Sequence, residues 1–275
     1  MSEFLHFMMY PFLACLVLTG IHTYLGQHVI ERQVIFVDLS LAQIAALGAS
    51  IALVMGHELN SPLSYWLSLA FTVVGAVVFA FSRFKKGLIP QEAVIGATYA
   101  VSASLLILVL SLADEGDEHI RQMLVGNILL VDWREIVKIA LLYGVIGFVH
   151  WRLRKVFWMI SSSPEQAFAK GVSVKKWDLL FYLTFGLVVT SSVEIAGVLL
   201  VFSFLIVPAV AAVMFTNSLR ARLVIGWLVG AVTSLLGISA SYYYDLPTGA
   251  TVICSFGGVL MLLAIVHSFV SGKTS

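Results

Sequence analysis

Charge is what this sequence has least of. Only 11% of its 275 residues are Asp, Glu, Lys or Arg, while 60% are hydrophobic. Soluble globular domains carry about 25% charged residues, so little is left from which a water-soluble domain could be built. Cysteine is nearly absent. Cys15 and Cys254 lie inside apolar runs, without metal-ligand spacing or a disulfide framework, and read as small buried hydrophobes. The phosphate-loop pattern G-x-x-x-x-G-K-[ST] is missing, which excludes ATP hydrolysis by this chain alone. H-E-x-x-H is missing as well: His57-Glu58 is followed by Leu-Asn-Ser, which removes the signal for a membrane-embedded metalloprotease. The first apolar run lacks a basic head, with Glu3 and His6 its only titratable neighbours, so it reads as a retained span rather than a cleaved leader. A net charge of +1 gives no reason to expect a nucleic-acid partner.

What is there is a series of nine apolar stretches, near 8–26, 35–56, 62–82, 91–113, 136–151, 177–195, 197–215, 223–241 and 249–270. Most approach the roughly 20 residues a helix needs to cross hydrocarbon. The expected class is therefore an all-α polytopic membrane protein with about nine transmembrane helices, in a single domain over residues 1–275. Threading the stretches alternately, N-terminus outside, places Arg32, Arg83, Lys85, Lys86, Arg152, Arg154, Lys155, Lys170, Lys175, Lys176, Arg220, Arg222 and Lys273 on one side. The other side keeps Arg121, Arg134 and Lys138. That asymmetry makes the first side cytoplasmic and puts the C-terminus inside. The short run 122–131 suits a re-entrant or interfacial piece. The acidic stretch 114–121 falls at an outer rim, as a solvated loop or a docking edge.

Ionisable and amide side chains inside a span are costly, so they face a partner or a pathway. His22 and His28 flank the first inner turn. Asp38 and Gln43 lie in the inner half of the second stretch, about 140° apart around a helix. Glu92 opens the fourth stretch as a boundary residue, and Glu194 closes the sixth near the outer surface. Carboxylate with imidazole suits a divalent transition metal, although each residue also has a purely structural reading. Pro208, inside the seventh stretch, is expected to kink its helix.

The longest inner connection, 152–176, carries a local helix signal. Ser163, Pro164, Glu165 and Gln166 fall at Ncap, N1, N2 and N3, which predicts a capping box. Ala167, Phe168, Ala169 and Lys170 continue the helix, and Gly171 can end it in the left-handed region. A helix of two turns is unstable alone in water, so a neighbour must hold it.

The chain resembles the membrane permease of bacterial ABC importers for zinc, manganese and iron. The resemblance rests on Glu92-Ala-Val-Ile-Gly-Ala97, Gly126-Asn-Ile-Leu129, Glu165-Gln-Ala-Phe-Ala-Lys-Gly171, the run from Gly197 to Ala209, and Asp245-Leu-Pro-Thr-Gly-Ala250, in that order. It implies a permease without enzymatic activity of its own, in the bacterial inner membrane. The implied partners are a second permease copy, a dimer of cytoplasmic ABC ATPase subunits and an extracytoplasmic metal-binding protein. No permanent cofactor is implied; the divalent metal is substrate. Pro164, Glu165, Ala167, Phe168 and Gly171 match the loop that couples to the ATPase. A metal pathway is implied near Asp38, His22, His28, Gln43 and Glu194. The family pattern in the second span is Asp and His four residues apart, and here Gln43 takes the histidine position. The competing class is a secondary transporter driven by an ion gradient, with Asp38 and Glu194 as carriers.

The topology has a direct test. In a variant lacking Cys15 and Cys254, a cysteine placed at Gly116 is expected to react with an impermeant thiol reagent added outside, and one at Gly171 is not. Outside labelling at Gly171 would exclude the proposed threading.

Overall fold

The structure is a computed structural model and describes residues 2–59, 61–83, 89–113, 119, 123–126 and 128–271. Lys85, Lys86, Arg121, Asn127, Lys273 and the acidic stretch other than His119 lie outside the described residues. Among the described residues the main α-helices are α1 (Ser2–Arg32), α2 (Val37–Val54), α3 (Pro62–Phe81), α4 (Gln91–Leu110), α5 (Trp133–Arg152), α6 (Arg154–Ser162), α7 (Pro164–Ala169), α8 (Val174–Phe215), α9 (Leu219–Tyr244) and α10 (Thr248–Ser271). A single 3₁₀ turn, Ile128–Leu130, precedes α5. Among the described residues there are no strands, as expected where every backbone group must be satisfied without water.

Among the described residues seven helices are long and apolar enough to cross a membrane, or eight if α5 and α6, bent by 76°, form one span. The 42 residues of α8 would make a rod of about 63 Å, roughly twice the hydrocarbon thickness. Gly197, at φ 74° and ψ 162°, breaks that rod. The stretches expected at 177–195 and 197–215 are the two sides of this break, which brings the total to about nine crossings. The interruption falls at Gly197 and not at Pro208. Proline's fixed φ suits a helix and costs one hydrogen bond, whereas a positive φ leaves the helical region altogether.

The chain ends its helices with local devices, although not always where the sequence signals them. Ser61 caps α3, accepting from the Ser64 N–H at 3.3 Å, with Pro62 in the first turn. At α5 the Asp132 carboxylate accepts from the Glu135 N–H at 2.8 Å, and the Glu135 carboxylate accepts from the Asp132 N–H at 3.2 Å. That is a reciprocal capping box. The box expected at Ser163 does not form: its side chain makes no capping bond. Ser163 closes α6, donating its N–H to Met159 at 2.9 Å, and opens α7 at the same time. Its φ of −150° and ψ of 67° serve that joint.

The chain divides into two compact units. One comprises Met1–Ile30, Val125–Tyr143 and Ile195–Ser275. Here small residues let backbones approach, since lipid supplies no hydrophobic drive between helices. A Cβ at Gly26 would strike the Leu205 carbonyl, one at Gly226 the Thr23 methyl, and one at Gly230 the Thr19 methyl. The Trp227 indole donates to the Gly20 carbonyl at 3.1 Å. Phe204 meets Phe256 edge to face at 5.0 Å. Gly126, itself at φ 66°, packs directly on the Ala196–Gly197 peptide. A Cβ on Gly249 would come within 2.8 Å of the Val125 carbonyl.

The other unit comprises Glu31–Leu124 and Gly144–Glu194. Its central helix is α2, flanked by α3 and α4. Gly48 lets α2 meet the Leu67–Ser68 backbone, and Gly75 of α3 receives Leu41 and Ile44. Ala46 of α2 closes a small cluster with Leu106 and Leu110 of α4. The inward face of α3 carries Ser64, Ser68, Thr72, Gly75 and Ala76. Its outward face carries Trp66, Val74, Val78 and Phe81. Small and hydroxyl groups go in and bulky apolar groups go out, the inverse of a soluble amphipathic helix.

At Gly197 any side chain must adopt a positive φ and enter space held by the Gly126 N–H. The backbone strain alone is about 1–3 kcal/mol. Gly197→Ala is expected to lower the melting temperature of the detergent-purified protein markedly, by scanning fluorimetry, while Gly96→Ala, with open space at its Cβ, leaves it unchanged.

Candidate substrate pathway and cytoplasmic elbow

Asp38 sits in the first turn of α2 and is wholly buried. Among the described residues neither carboxylate oxygen has a hydrogen-bond partner. The Ser40 hydroxyl and the Gln43 side-chain oxygen, on the same helix, are also buried without partners. Because α2 is covered nearly all round, Asp38 and Gln43 are both interior despite their angular separation. The start of α2 is held from outside: the Phe36 N–H donates to the Glu92 carboxylate of α4 at 3.0 Å. Glu92 is thus a local fastener, in keeping with a boundary role.

His22 and His28 lie in the other unit and are both buried. No turn separates them, because α1 continues to Arg32. Six residues apart on one helix, they project about 120° apart. His22 Nδ1 donates to the Leu18 carbonyl at 2.8 Å. That bond fixes the tautomer and leaves the lone pair on Nε2. His28 lies edge-on to Tyr24 at 4.8 Å. Among the described residues, no group of three or more His, Cys, Asp and Glu side chains could hold a metal ion. Glu194 is exposed at the rim of a cavity bounded by α2, α3 and α8. Cys15 is buried, whereas Cys254 is exposed on α10.

A charged cluster that sequence reading passed over lies in the same unit as Asp38. Arg32 Nη1 donates to the Asp178 carboxylate at 2.7 Å, with both side chains fully buried. Arg83 reaches the second Asp178 oxygen at 3.3 Å. Arg32 Nε donates to the Ser161 hydroxyl at 2.8 Å, and its guanidinium lies 3.9 Å from the centre of the Phe181 ring. Aromatic packing continues the cluster: His150 stacks on Phe157 at 4.4 Å, and its Nε2 is 2.8 Å from the Thr184 hydroxyl. Arg32 and Arg83 read in sequence only as markers of orientation, and Asp178 received no reading. The available signal was an acidic residue in the first turn of an otherwise apolar run.

The helix expected over Pro164–Lys170 is present as Pro164–Ala169, with Lys170 as its C-cap, but it does not stand alone. α6 precedes it, and the two form an elbow. Ile160, Ala167 and Val174 are buried together, with Met159, Phe168, Val172 and Trp177 against them. The chain's own packing therefore holds this short helix. Ala167 is internal, Phe168 is half-buried, and Glu165, Gln166, Ala169 and Lys170 are exposed. Gly171, at φ 71°, donates to the Phe168 carbonyl at 3.0 Å, and Val172 donates to Ala167 at 3.0 Å. This is a full Schellman stop.

A model of the ABC 3 transport family matches residues 4–268. The chain is 26% identical over 234 residues to the manganese transport system membrane protein MntC of Listeria monocytogenes, covering 83% of this chain and 79% of that protein. It is 28% identical over 178 residues to a probable iron transport system membrane protein of Haemophilus influenzae, covering 65% and 62%. Among solved structures, PsaBC from Streptococcus pneumoniae in complex with Fab superposes with a TM-score of 0.77 over 95% of this chain and 94% of that one, at 20% identity.

Removing one partner of a buried ion pair leaves an uncompensated charge and costs about 3–5 kcal/mol. Arg32→Met is therefore expected to destabilise the purified protein severely. Arg32→Met combined with Asp178→Leu should recover part of the loss, and a thermal-aggregation series on the three proteins checks it.

Proposed function

Because the chain belongs to the ABC 3 transport family, we propose that it is the membrane permease subunit of an ATP-binding-cassette importer carrying a divalent transition metal into the cytoplasm. The observation that carries this reading is Asp38. A carboxylate buried without a partner is among the costliest groups a membrane interior can hold. A cation passing through would relieve that cost for a moment, and the unpartnered oxygens of Ser40 and Gln43 on the same helix add further hard acceptors. Manganese and iron, the metals in the names of the relatives, accept such oxygen ligands. An incomplete ligand set holds the ion weakly, as release requires.

The cytoplasmic elbow gives the energy source a place to act. With the N-terminus outside and the C-terminus inside, α6 and α7 face the cytoplasm. The exposed edge Glu165, Gln166, Ala169 and Lys170, with half-buried Phe168 behind it, would meet an ATPase subunit. α7 is stopped by the Gly171 turn and packed on α6, so it moves as a block. Ser161 of α6 is bonded to Arg32, which holds Asp178 at the start of α8. A push on the elbow is thus delivered to the ends of α1 and α8 through short, buried, charge-assisted bonds. The working assembly would contain a second permease copy, two ATPase subunits and an extracytoplasmic metal-binding protein.

The test uses proteoliposomes holding the permease with its ATPase and binding protein. Manganese-dependent ATP hydrolysis and uptake of radioactive manganese are expected for the wild type. Asp38→Asn keeps shape and removes charge, and should reduce uptake by at least about tenfold, the equivalent of one lost 1.4 kcal/mol interaction. Uptake at the wild-type rate in Asp38→Asn would remove Asp38 from the pathway. Uptake driven by an ion gradient without ATP would replace the importer with a secondary transporter.

A further inference from the structure

The corner where α5 turns into α6 belongs neither to the buried charge cluster nor to the exposed edge of α7. Val145, Phe148 and Arg152 lie within about 60° of one another on α5, and all three are exposed. This face is apolar until its last residue, which is a cation. Trp151 stands beside it, 58% exposed and 5.9 Å from the Phe148 ring. An apolar face that ends in an indole and then a guanidinium follows the order of hydrocarbon, interface and headgroup that a spanning helix meets as it leaves a bilayer. The chain then turns by 76°. Beyond the turn α6 buries Phe157, Ile160 and Ser161 and leaves Arg154 and Lys155 exposed. A short helix set across a spanning one, with an apolar side and a basic edge, suits the plane of an interface.

Arg152, Arg154 and Lys155 put three cations within four residues, and no acidic residue lies between Glu135 and Glu165. Among the described residues none of the three makes an ion pair. Arg154 is nevertheless held in place. Its Nη1 donates to the Trp151 carbonyl at 3.0 Å, and its guanidinium lies 5.1 Å from the centre of the Trp151 ring. A cation positioned in this way loses little freedom when it meets a ligand. Arg154 and Lys155 also fall in the first turn of α6, which carries no acidic side chain and where the helix dipole disfavours cations. Local helix energetics therefore give no reason for them, whereas an anion outside the chain does.

We propose that this corner is a site for an anionic phospholipid, whose phosphate meets Arg152, Arg154 and Lys155 and whose acyl chains lie against Val145 and Phe148. An acidic side chain of a soluble protein would satisfy the cations and leave the apolar face beside them in water; a lipid satisfies both. Each cation near a lipid surface contributes about a fivefold preference for negative charge. A lipid held here ties the root of the elbow to the bilayer, while the exposed edge of α7 stays clear for a soluble partner. The site needs neither metal nor ATP, so it stands or falls apart from transport.

The full chain with its ATPase, purified in detergent, is titrated with phosphatidylglycerol or phosphatidylcholine of the same acyl chains, and native mass spectrometry counts the lipids retained. Phosphatidylglycerol is expected to bind at least about tenfold more tightly. Arg152→Gln, Arg154→Gln and Lys155→Gln together should abolish the preference. Lys155→Gln alone should reduce it about fivefold, so the result does not depend on the triple variant folding. Arg152→Lys with Arg154→Lys keeps the charge and should keep the preference. Arg220→Gln, which removes an exposed cation at the start of α9, should leave it unchanged. Inorganic phosphate, which has no acyl chains, should not displace the lipid. Equal binding of the two lipids overturns the proposal, as does a preference that survives the triple substitution or falls equally in Arg220→Gln. Displacement by phosphate would make the corner a site for soluble anions, and loss of the ATPase from the triple variant with lipid preference intact would make it a protein contact. Either result also overturns it.

Discussion

Backbone must touch backbone in this protein. In hydrocarbon, helices gain nothing from hiding apolar side chains from one another, so association depends on dispersion at short range and on hydrogen bonds. Both require small residues at the crossing points. Gly26 and Gly226 bring α1 and α9 against the carbonyls and side chains near Leu205–Pro208, and Gly48 brings α2 onto α3. The tightest case is the Gly126–Gly197 contact, where both glycines have positive φ. Gly249 meets Val125 beside it. Three separate sequence motifs, at 126–129, 197–209 and 245–250, thus meet in one place. Their glycines are there because no Cβ fits.

The second constraint is electrical. The Arg32–Asp178 pair is fully buried, and the partly exposed Arg83 lies beside it. Such a group is a poor way to gain stability, since desolvation consumes much of the attraction. It is a good way to specify one arrangement, because any slippage strands a charge. Its position beside Ser161 joins the elbow to the ends of the spanning helices. Asp38 is the contrasting case in the same unit, a buried carboxylate that the protein leaves unpaired. One carboxylate is paired by the fold, and the other has no hydrogen-bond partner among the described residues.

Polar residues therefore divide by partner and not by depth. Glu92 and Asp178 bond to their own chain and serve the fold. Asp38, Ser40 and Gln43 hold polar atoms without a partner among the described residues, and they lie along the interior of α2. Hydropathy alone sees all of them as interruptions in apolar runs.

Much of this was determined by sequence. Low charge and nine apolar runs specified a helical membrane protein with about nine crossings, because run length against bilayer thickness leaves no other solution. The short helix Pro164–Ala169 was legible from Pro164 and Gly171, whose backbone preferences are local. What only tertiary structure decided depended on distant partners. Ser163 does not cap α7, because it must also close α6, while the working capping box is Asp132–Glu135, whose Asp-x-x-Glu spacing before an apolar run carries the same local signal and was passed over. α7 is held by Ile160 and Val174, which sequence spacing alone does not bring together. Above all, sequence marked Arg32 and Arg83 only by their side of the membrane and passed over Asp178; it could not pair them, nor leave Asp38 alone. Pairing a buried charge depends on what packs opposite, and only the folded chain supplies that.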